Sequence, residues 1–247
     1  MPAELVSKTS ANISDNKAAG ISLATMAVVT GLYDLTGHRI TPAWETNGAK
    51  DGEGKAIAII GGSSSVGQYV VQFGRLSGFD RIITNASSSH HEFLKKPGAH
   101  VVFDRKSSSA NDCVAASNNR PVHYVYDAVS TKETQALGVQ IAHASKGAAN
   151  RVGTVQGADA DAVKLEESME PKVEVKQIFG LGGSPMLRQL REPMAKHLGS
   201  EDGYIAKGLF VPNRVGLIEG GLRAMEEALR TNKEGVSGEK VVFRRNN

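Results

Sequence analysis

Along most of the chain, short apolar runs rich in β-branched residues alternate with stretches whose apolar positions recur near helical spacing. The runs Ala56–Ile60, Arg81–Thr84, Val101–Phe103, Val122–Tyr126, Arg151–Val155 and Val173–Phe179 read as strands. Between them the pattern predicts helices over about 66–77, 89–96, 108–116, 131–145 and 184–198. Strands alternating with helices are the mark of βαβ units. The expected fold class is therefore α/β, a doubly wound parallel sheet of about six strands with right-handed crossovers placing helices on both faces.

The two ends differ from this middle. Residues 18–35 read as a helix, with Ile21, Met26, Val29, Leu32 and Tyr33 near helical spacing and Ser14 or Asp15 available to cap its start. Residues 37–54 hold glycines, a proline and alternating charges without apolar periodicity, and read as an exposed connection. Toward the other end, 204–215 reads as a strand-like passage containing Pro212, 216–231 as an amphipathic helix and Lys240–Arg244 as a last short strand. The expected division is 1–50 as a leading segment and helix, 51–200 as the α/β body and 201–247 as a return segment.

Composition narrows the function classes. The 247 residues allow one large domain, or one with part of a second, and 40% hydrophobic with 22% charged residues suits a soluble globular chain. No apolar run approaches the roughly 18 residues of a membrane span, so no membrane partner is expected. The start, Met1-Pro2-Ala3-Glu4, lacks the basic flank and apolar stretch of a signal peptide, which makes the cytoplasm the expected compartment. A net charge of +3, spread evenly, argues against nucleic acid. The single cysteine, Cys113, excludes an internal disulfide and a four-cysteine zinc site; on a helix with no histidine nearby it reads as an unreactive thiol.

The candidate chemistry begins where the first strand ends. Gly61-Gly-Ser-Ser-Ser-Val-Gly67 lies between that strand and a helix carrying Tyr69, Val70, Phe73 and Leu76. Such a turn offers backbone N–H groups and a helix N-terminus to a phosphate. Against the Rossmann pattern G-x-G-x-x-G, Gly62 and Gly67 match the outer glycines and Ser64 stands at the middle one. Gly62, Ser63, Ser64, Ser65, Val66 and Gly67 are thus candidates to cradle a dinucleotide pyrophosphate; a plain tight turn is the alternative.

About twenty residues on, where an NAD site carries an acid for the ribose 2′-OH, the second strand runs into Thr84-Asn-Ala-Ser-Ser-Ser-His-His91 without a carboxylate. An acid there would repel a 2′-phosphate. Its absence favours NADPH over NADH, with Ser87, Ser89 and His90 as candidate phosphate contacts; a serine-rich helix cap is compatible with the same residues. His90-His91-Glu92 makes a poor metal site, because adjacent histidines diverge and no second cluster accompanies them. Arg105 after the third strand either meets the adenosine end or belongs to a solvated loop. Asp127 after the fourth lies at the ligand-binding edge or caps the next helix. Gly180, Gly182 and Gly183 after the sixth strand let backbone approach the nicotinamide or simply form a turn.

These residues carry a resemblance. The segment GKAIAIIGGSSSVGQYVVQFGRLSGFDRIITNASSSHHEFLKKPGAHVVFD resembles the cofactor domain of medium-chain dehydrogenases/reductases, in particular the zinc-independent quinone reductase and fungal enoyl reductase branch. Its supports are the GGSSSVGQY loop, the serine-rich end of the second strand, EFLKKPGAHVVFD (the family usually has Leu where Pro97 stands) and the tail VSGEKVVF. AAGISLATMAVVTGLYDL is similar to the family helix leading into the cofactor domain, and the resemblance puts Thr30 beside the nicotinamide. What it implies is a Rossmann domain with a small C-terminal remnant of the catalytic domain, and an oxidoreductase transferring hydride from NADPH to an activated C=C or a quinone. The departure is at the front, where family members carry a GroES-like domain of which this chain shows almost nothing. Much of the wall holding a small-molecule substrate is expected there, so no proton donor is assigned. Tyr69 is read as helix face and Tyr204 as surface or core. A shortened, non-catalytic NADPH-binding module and a truncated form of an enzyme stay open as alternatives, and the surfaces left uncovered make a homo-oligomer an expectation.

Overall fold

The computed structural model describes residues 3–146, 148–180 and 184–245. Six strands, β1 (Ala56–Ile60), β2 (Arg81–Ala86), β3 (Val101–Asp104), β4 (Val122–Asp127), β5 (Arg151–Thr154) and β6 (Glu174–Gln177), form one parallel sheet in the order β3-β2-β1-β4-β5-β6. β1 shows why its composition suits a central strand. All five residues are buried, Ile57 and Ile59 in the core on one face and Ala56, Ala58 and Ile60 in the core on the other, the period of two that a pleat imposes.

The helices divide between these two cores. α1 (Asp15–Ala18) precedes α2 (Ser22–Tyr33), which shares the first face with α3 (Ser65–Leu76), α4 (His91–Lys95) and α8 (Arg188–Gly199). α5 (Ala110–Ala115), α6 (Lys132–Ala144) and α7 (Ala160–Glu167) cover the second. α2 packs hard on the sheet: a Cβ on Gly31 would strike the Tyr126 ring and Ile178, and the Tyr126 hydroxyl donates to the Ala27 carbonyl at 3.0 Å.

The return segment departs from expectation. The predicted strand-like passage 204–215 is mostly turns, and the predicted helix 216–231 begins instead as a strand, β7 (Arg214–Ile218), with α9 at Met225–Glu234. β7 pairs in parallel with β8 (Glu239–Phe243), Val215 opposite Lys240 and Leu217 opposite Val242, so α9 is a crossover rather than a continuation. Pairing with residues more than twenty positions away overrode a local pattern that fits a helix. α7 has no counterpart among the predicted helices, since half of its sequence ADAVKLEE is charged; the Asp159 side chain caps it by accepting from Asp161 N–H. The predicted helix 18–35 is shorter, because the chain turns at Ala19–Ile21 before α2 starts.

α3 carries the return segment. Gln72 clasps Val211, its Oε1 accepting the backbone N–H at 2.8 Å and its Nε2 donating to the carbonyl at 3.0 Å. Asn213 N–H donates to the Tyr69 hydroxyl at 3.1 Å, Gln68 Nε2 to the Gly238 carbonyl at 3.3 Å, and Arg75 to the Leu209 carbonyl. Tyr69 is wholly buried, its ring 4.8 Å from that of Phe210, rather than lying on an open helix face. Tyr204 is half-buried.

Candidate nucleotide site

The strand order reverses between β1 and β4, and ligands of open α/β sheets bind beyond the carboxyl ends at such a reversal. The turn leaving β1 is shaped by packing against neighbouring backbone. Gly61 has φ +78°, a left-handed conformation that favours glycine, and its N–H donates to Asn85 Oδ1 at 2.8 Å. Gly62 N–H donates to the Asn85 carbonyl at 2.9 Å. A Cβ on Gly62 would meet the Thr84 hydroxyl, and one on Gly67 would meet the Gly61 carbonyl. Both outer glycines of the motif are therefore required for the loop to close on β2 and on itself.

Ser64 is the N-cap of α3. Its Oγ accepts Gly67 N–H at 3.0 Å and donates to the Ala128 carbonyl at 3.2 Å, so its hydroxyl is committed within the protein. The backbone N–H groups of Ser63, Ser65 and Val66 have no acceptor among the described residues, nor have the hydroxyls of Ser63 and Ser65. Three unspent N–H groups at the start of a twelve-residue helix fit a pyrophosphate.

At the end of β2, Ser87 is half-buried, Ser89 exposed and His90 buried. His90 turns toward the return segment, its Nε2 2.7 Å from the Ser237 hydroxyl and its Nδ1 3.1 Å from Arg214 Nη2. Burial, then the charges of Arg214, Arg105 and His91, hold its pKa below the usual histidine value. Arg105 is exposed after β3 and its backbone N–H donates to the Ala86 carbonyl at 3.0 Å. The serines and Arg105 thus gather at one corner, and Arg214 joins them from a part of the chain that carried no sequence signal. Asn85, which ties the glycine loop to β2, was equally unmarked. Only its position at the strand end hinted at a role.

At the opposite corner, Ala27, Val155, Gln177, Ile178, Phe179 and Gly180 line a pocket of about 420 Å³ between α2 and the ends of β5 and β6. Thr30, one turn beyond Ala27, is wholly buried and its hydroxyl has no partner. Gly182 and Gly183 lie outside the described residues. Asp127 does not cap α6, a task performed by Thr131 with Thr134. Instead its Oδ1 accepts Val129 and Ser130 N–H, both at 2.9 Å, and fixes the turn after β4 that holds Val129 against Gly61. Burial raises the Asp127 carboxyl above the usual carboxylate range, against the lowering effect of those two N–H groups.

No group of three or more His, Cys, Asp or Glu able to hold a metal ion stands together among the described residues. His91 Nε2 donates to the Ala86 carbonyl at 3.3 Å and Glu92 pairs with Lys95. Cys113 is buried on α5, and burial pushes its thiol up to about 12. No helix among the described residues is long and apolar enough to cross a membrane.

Known proteins share this architecture. A zinc-type alcohol dehydrogenase-like protein of Schizosaccharomyces pombe is 29% identical over 238 residues, covering 91% of this chain and 64% of the relative. A trans-enoyl reductase of Aspergillus japonicus is 29% identical over 191 residues, 77% of this chain and 52% of its own. The chain therefore spans less than two thirds of the length of these relatives. Among solved structures, a Rhizobium etli protein described as a zinc-dependent alcohol dehydrogenase superposes with a TM-score of 0.71 at 20% identity, covering 98% of this chain and 67% of that one. The CurK enoyl reductase superposes with a TM-score of 0.68 at 20% identity over 99% and 67%. At such identities the likeness carries the fold. Despite the word zinc in the family description, the residues gathered here do not fit that metal. The sequence model of the zinc-binding dehydrogenases matches residues 65–196, more than half of the chain, and the protein belongs to that family, within the medium-chain dehydrogenase/reductase superfamily.

Proposed function

We propose that this chain binds NADPH and belongs to a reductase that acts on an activated C=C or a quinone. The observation that carries the reading is the set of unspent N–H groups of Ser63, Ser65 and Val66 at the start of α3, on the strand-order reversal. Bound there, the cofactor would supply hydride, and the protein would supply binding, orientation and exclusion of water. Gly62 and Gly67 let the loop close beneath the pyrophosphate, Ser63, Ser65 and Val66 donate to it, and Ser64 holds the loop's shape. Ser87 and Ser89 face the 2′-phosphate with Arg105 beside them, and His90 anchors their turn from behind. Gly180 lines the pocket proposed for the nicotinamide, and Thr30, wholly buried one turn beyond Ala27, backs that pocket from within the fold. The relatives named above, a trans-enoyl reductase among them, support reductase chemistry.

Calorimetric titration of the chain with NADPH and NADH tests the reading. Micromolar NADPH binding is expected, and binding of neither nucleotide would sink it. A second reading, a nucleotide-binding module without turnover, draws on the pocket beside Gly180: none of its six lining residues has a side chain that titrates. NADPH oxidation with a panel of quinones and enoyl thioesters separates the two.

A further inference from the structure

A cavity of about 270 Å³ is bounded by residues 5–13 of the leading segment, the start of α2 and the side of α8 that faces them. It shares no lining residue with the pocket beside Gly180. α2 gives Ser22 and Thr25 to the cavity and Ala27 to the pocket, two positions past Thr25 and so on a different face of the helix. The cavity therefore stands apart from the crevice proposed for the nucleotide.

Its walls combine apolar surface with charge of one sign. Ile13, Ile21, Met194, Leu198 and Ile205 supply the apolar part, the last four of them buried. The titratable groups among its described lining residues are Lys8 and Arg191, both cations, and none of those residues is an acid. Two acids border the adjoining pocket, Glu4 and Glu192, and Arg188 pairs with both, at 3.6 and 2.7 Å. Lys8 is exposed, and no ion pair with a described residue neutralises it. The hydroxyls of the wall divide. Ser7 donates to the Ala195 carbonyl at 2.6 Å and Thr25 to the Ile21 carbonyl at 2.7 Å, whereas the Ser10 hydroxyl is buried without a partner. The backbone N–H groups of Lys8, Thr9 and Ser10 also have no acceptor among the described residues.

Such a wall selects by chemistry. A methylene chain gains by leaving water for the apolar part, while a polar head is tolerated only where partners meet it. A carboxylate finds two cations and unspent donors; an ammonium would meet like charge, and an alcohol would leave the charge unused. At roughly 30 Å³ for a group the size of a water, the volume suits on the order of ten heavy atoms, the size of octanoate.

We propose that this cavity is a second small-molecule site that takes a medium-chain carboxylate, its chain against α2 and α8 and its head toward Lys8, Arg191 and the Ser10 hydroxyl. The site stands whether or not the chain binds a nucleotide.

Calorimetry of the full chain with octanoate, octanol and octylammonium tests it. Octanoate is expected to bind about tenfold more tightly than octanol, with octylammonium the weakest of the three. Lys8→Gln, a change at an exposed side chain, should weaken octanoate about tenfold and leave octanol unchanged. Ala195→Leu fills the cavity from α8 and should abolish binding of both, with thermal unfolding reporting that the variant is folded. In methionine-methyl NMR spectra, the Met194 signal should move on addition of octanoate while that of Met225, on α9, stays. Saturating NADPH should leave the affinity for octanoate unchanged. No binding of octanoate, equal affinity for octanoate and octanol, an unaltered affinity in Lys8→Gln, an unmoved Met194 signal or displacement by NADPH overturns the site. A chain that takes octanoate but no nucleotide overturns the nucleotide reading alone, so the two fail separately.

Discussion

The Ser64 hydroxyl donates to the Ala128 carbonyl at 3.2 Å, joining the glycine loop to the turn after β4. The same oxygen accepts Gly67 N–H, so one side chain both caps α3 and ties its start to the turn after β4. Ser64→Ala removes both bonds and is expected to destabilise the fold by about 1 kcal/mol, within the usual range for loss of an N-cap. Ser64→Gly, which restores the glycine of the usual motif, should cost less at the cap yet still free the turn. Urea unfolding of the pair measures this; equal midpoints for Ser64→Ala and the parent would remove the capping role.

Gly67 allows no larger residue. A Cβ there would press on the Gly61 carbonyl, a backbone atom that moves only if the turn opens. Gly67→Ala should cost roughly 1–3 kcal/mol as an overpacked site and abolish nucleotide binding by displacing the N–H groups of Ser65 and Val66. Thermal unfolding with and without NADPH would show a lower midpoint and no ligand-induced rise.

The clasp of Gln72 on Val211 gives a test of how the return segment is attached. Gln72 is 3% exposed, and truncation strands both the N–H and the carbonyl of Val211. Because Val211 is itself exposed, water replaces part of what is lost, and Gln72→Ala should cost about 1–2 kcal/mol. Amide exchange at Val211 should quicken while exchange in β1 stays protected. Uniform acceleration across the sheet would mean that the segment and the sheet open together.

His38 makes the fold sensitive to acid. Its Nε2 donates to the Val125 carbonyl at 3.0 Å and its ring lies edge-on to Tyr124, 5.1 Å between centroids. Burial, reinforced by the nearby Arg151 charge and opposed by the Val125 bond, lowers its pKa from 6.5 to about 4. The unfolded chain therefore takes up the proton first on acidification. The stability tied to the neutral ring is complete above 6.5 and is lost as pH falls toward 4. His38→Gln, which keeps an N–H donor, should show a shallower fall of the urea midpoint over that window; identical slopes would count against His38 as the sensor.

Ser87→Asp places a carboxylate at the end of β2 where a 2′-phosphate is expected. The like charge should reduce the preference for NADPH over NADH by about tenfold. Competitive titration of the two nucleotides reads the ratio, and an unchanged ratio would take Ser87 out of the site.

The six strands of the sheet and the glycine loop were legible in the sequence because each rests on near neighbours. β1 announces itself by five apolar residues in a row, and its helix by the residues that follow. The return segment was not legible. β7 exists because Arg214–Ile218 meets Glu239–Phe243, and no pattern within 214–218 encodes that meeting. α7 escaped for the opposite reason, since a short, half-charged helix owes its place to a cap and to the one buried residue it presents, Ala162.

The same division runs through the site. By itself the sequence determined the glycine loop between β1 and α3 and the serines, without an acid, after β2, because a strand, a turn and a helix in succession leave the chain little freedom. Tertiary structure alone decided that Ser64 spends its hydroxyl on Gly67 and Ala128, that His90 faces Ser237 and Arg214, and that Arg214 reaches the end of β2 at all. Those contacts join residues 64 to 147 positions apart in the chain, apart from the local cap on Gly67. The two His90 contacts go with the burial of Gln68, Tyr69 and Gln72 against a segment that carries no local mark of where it will dock.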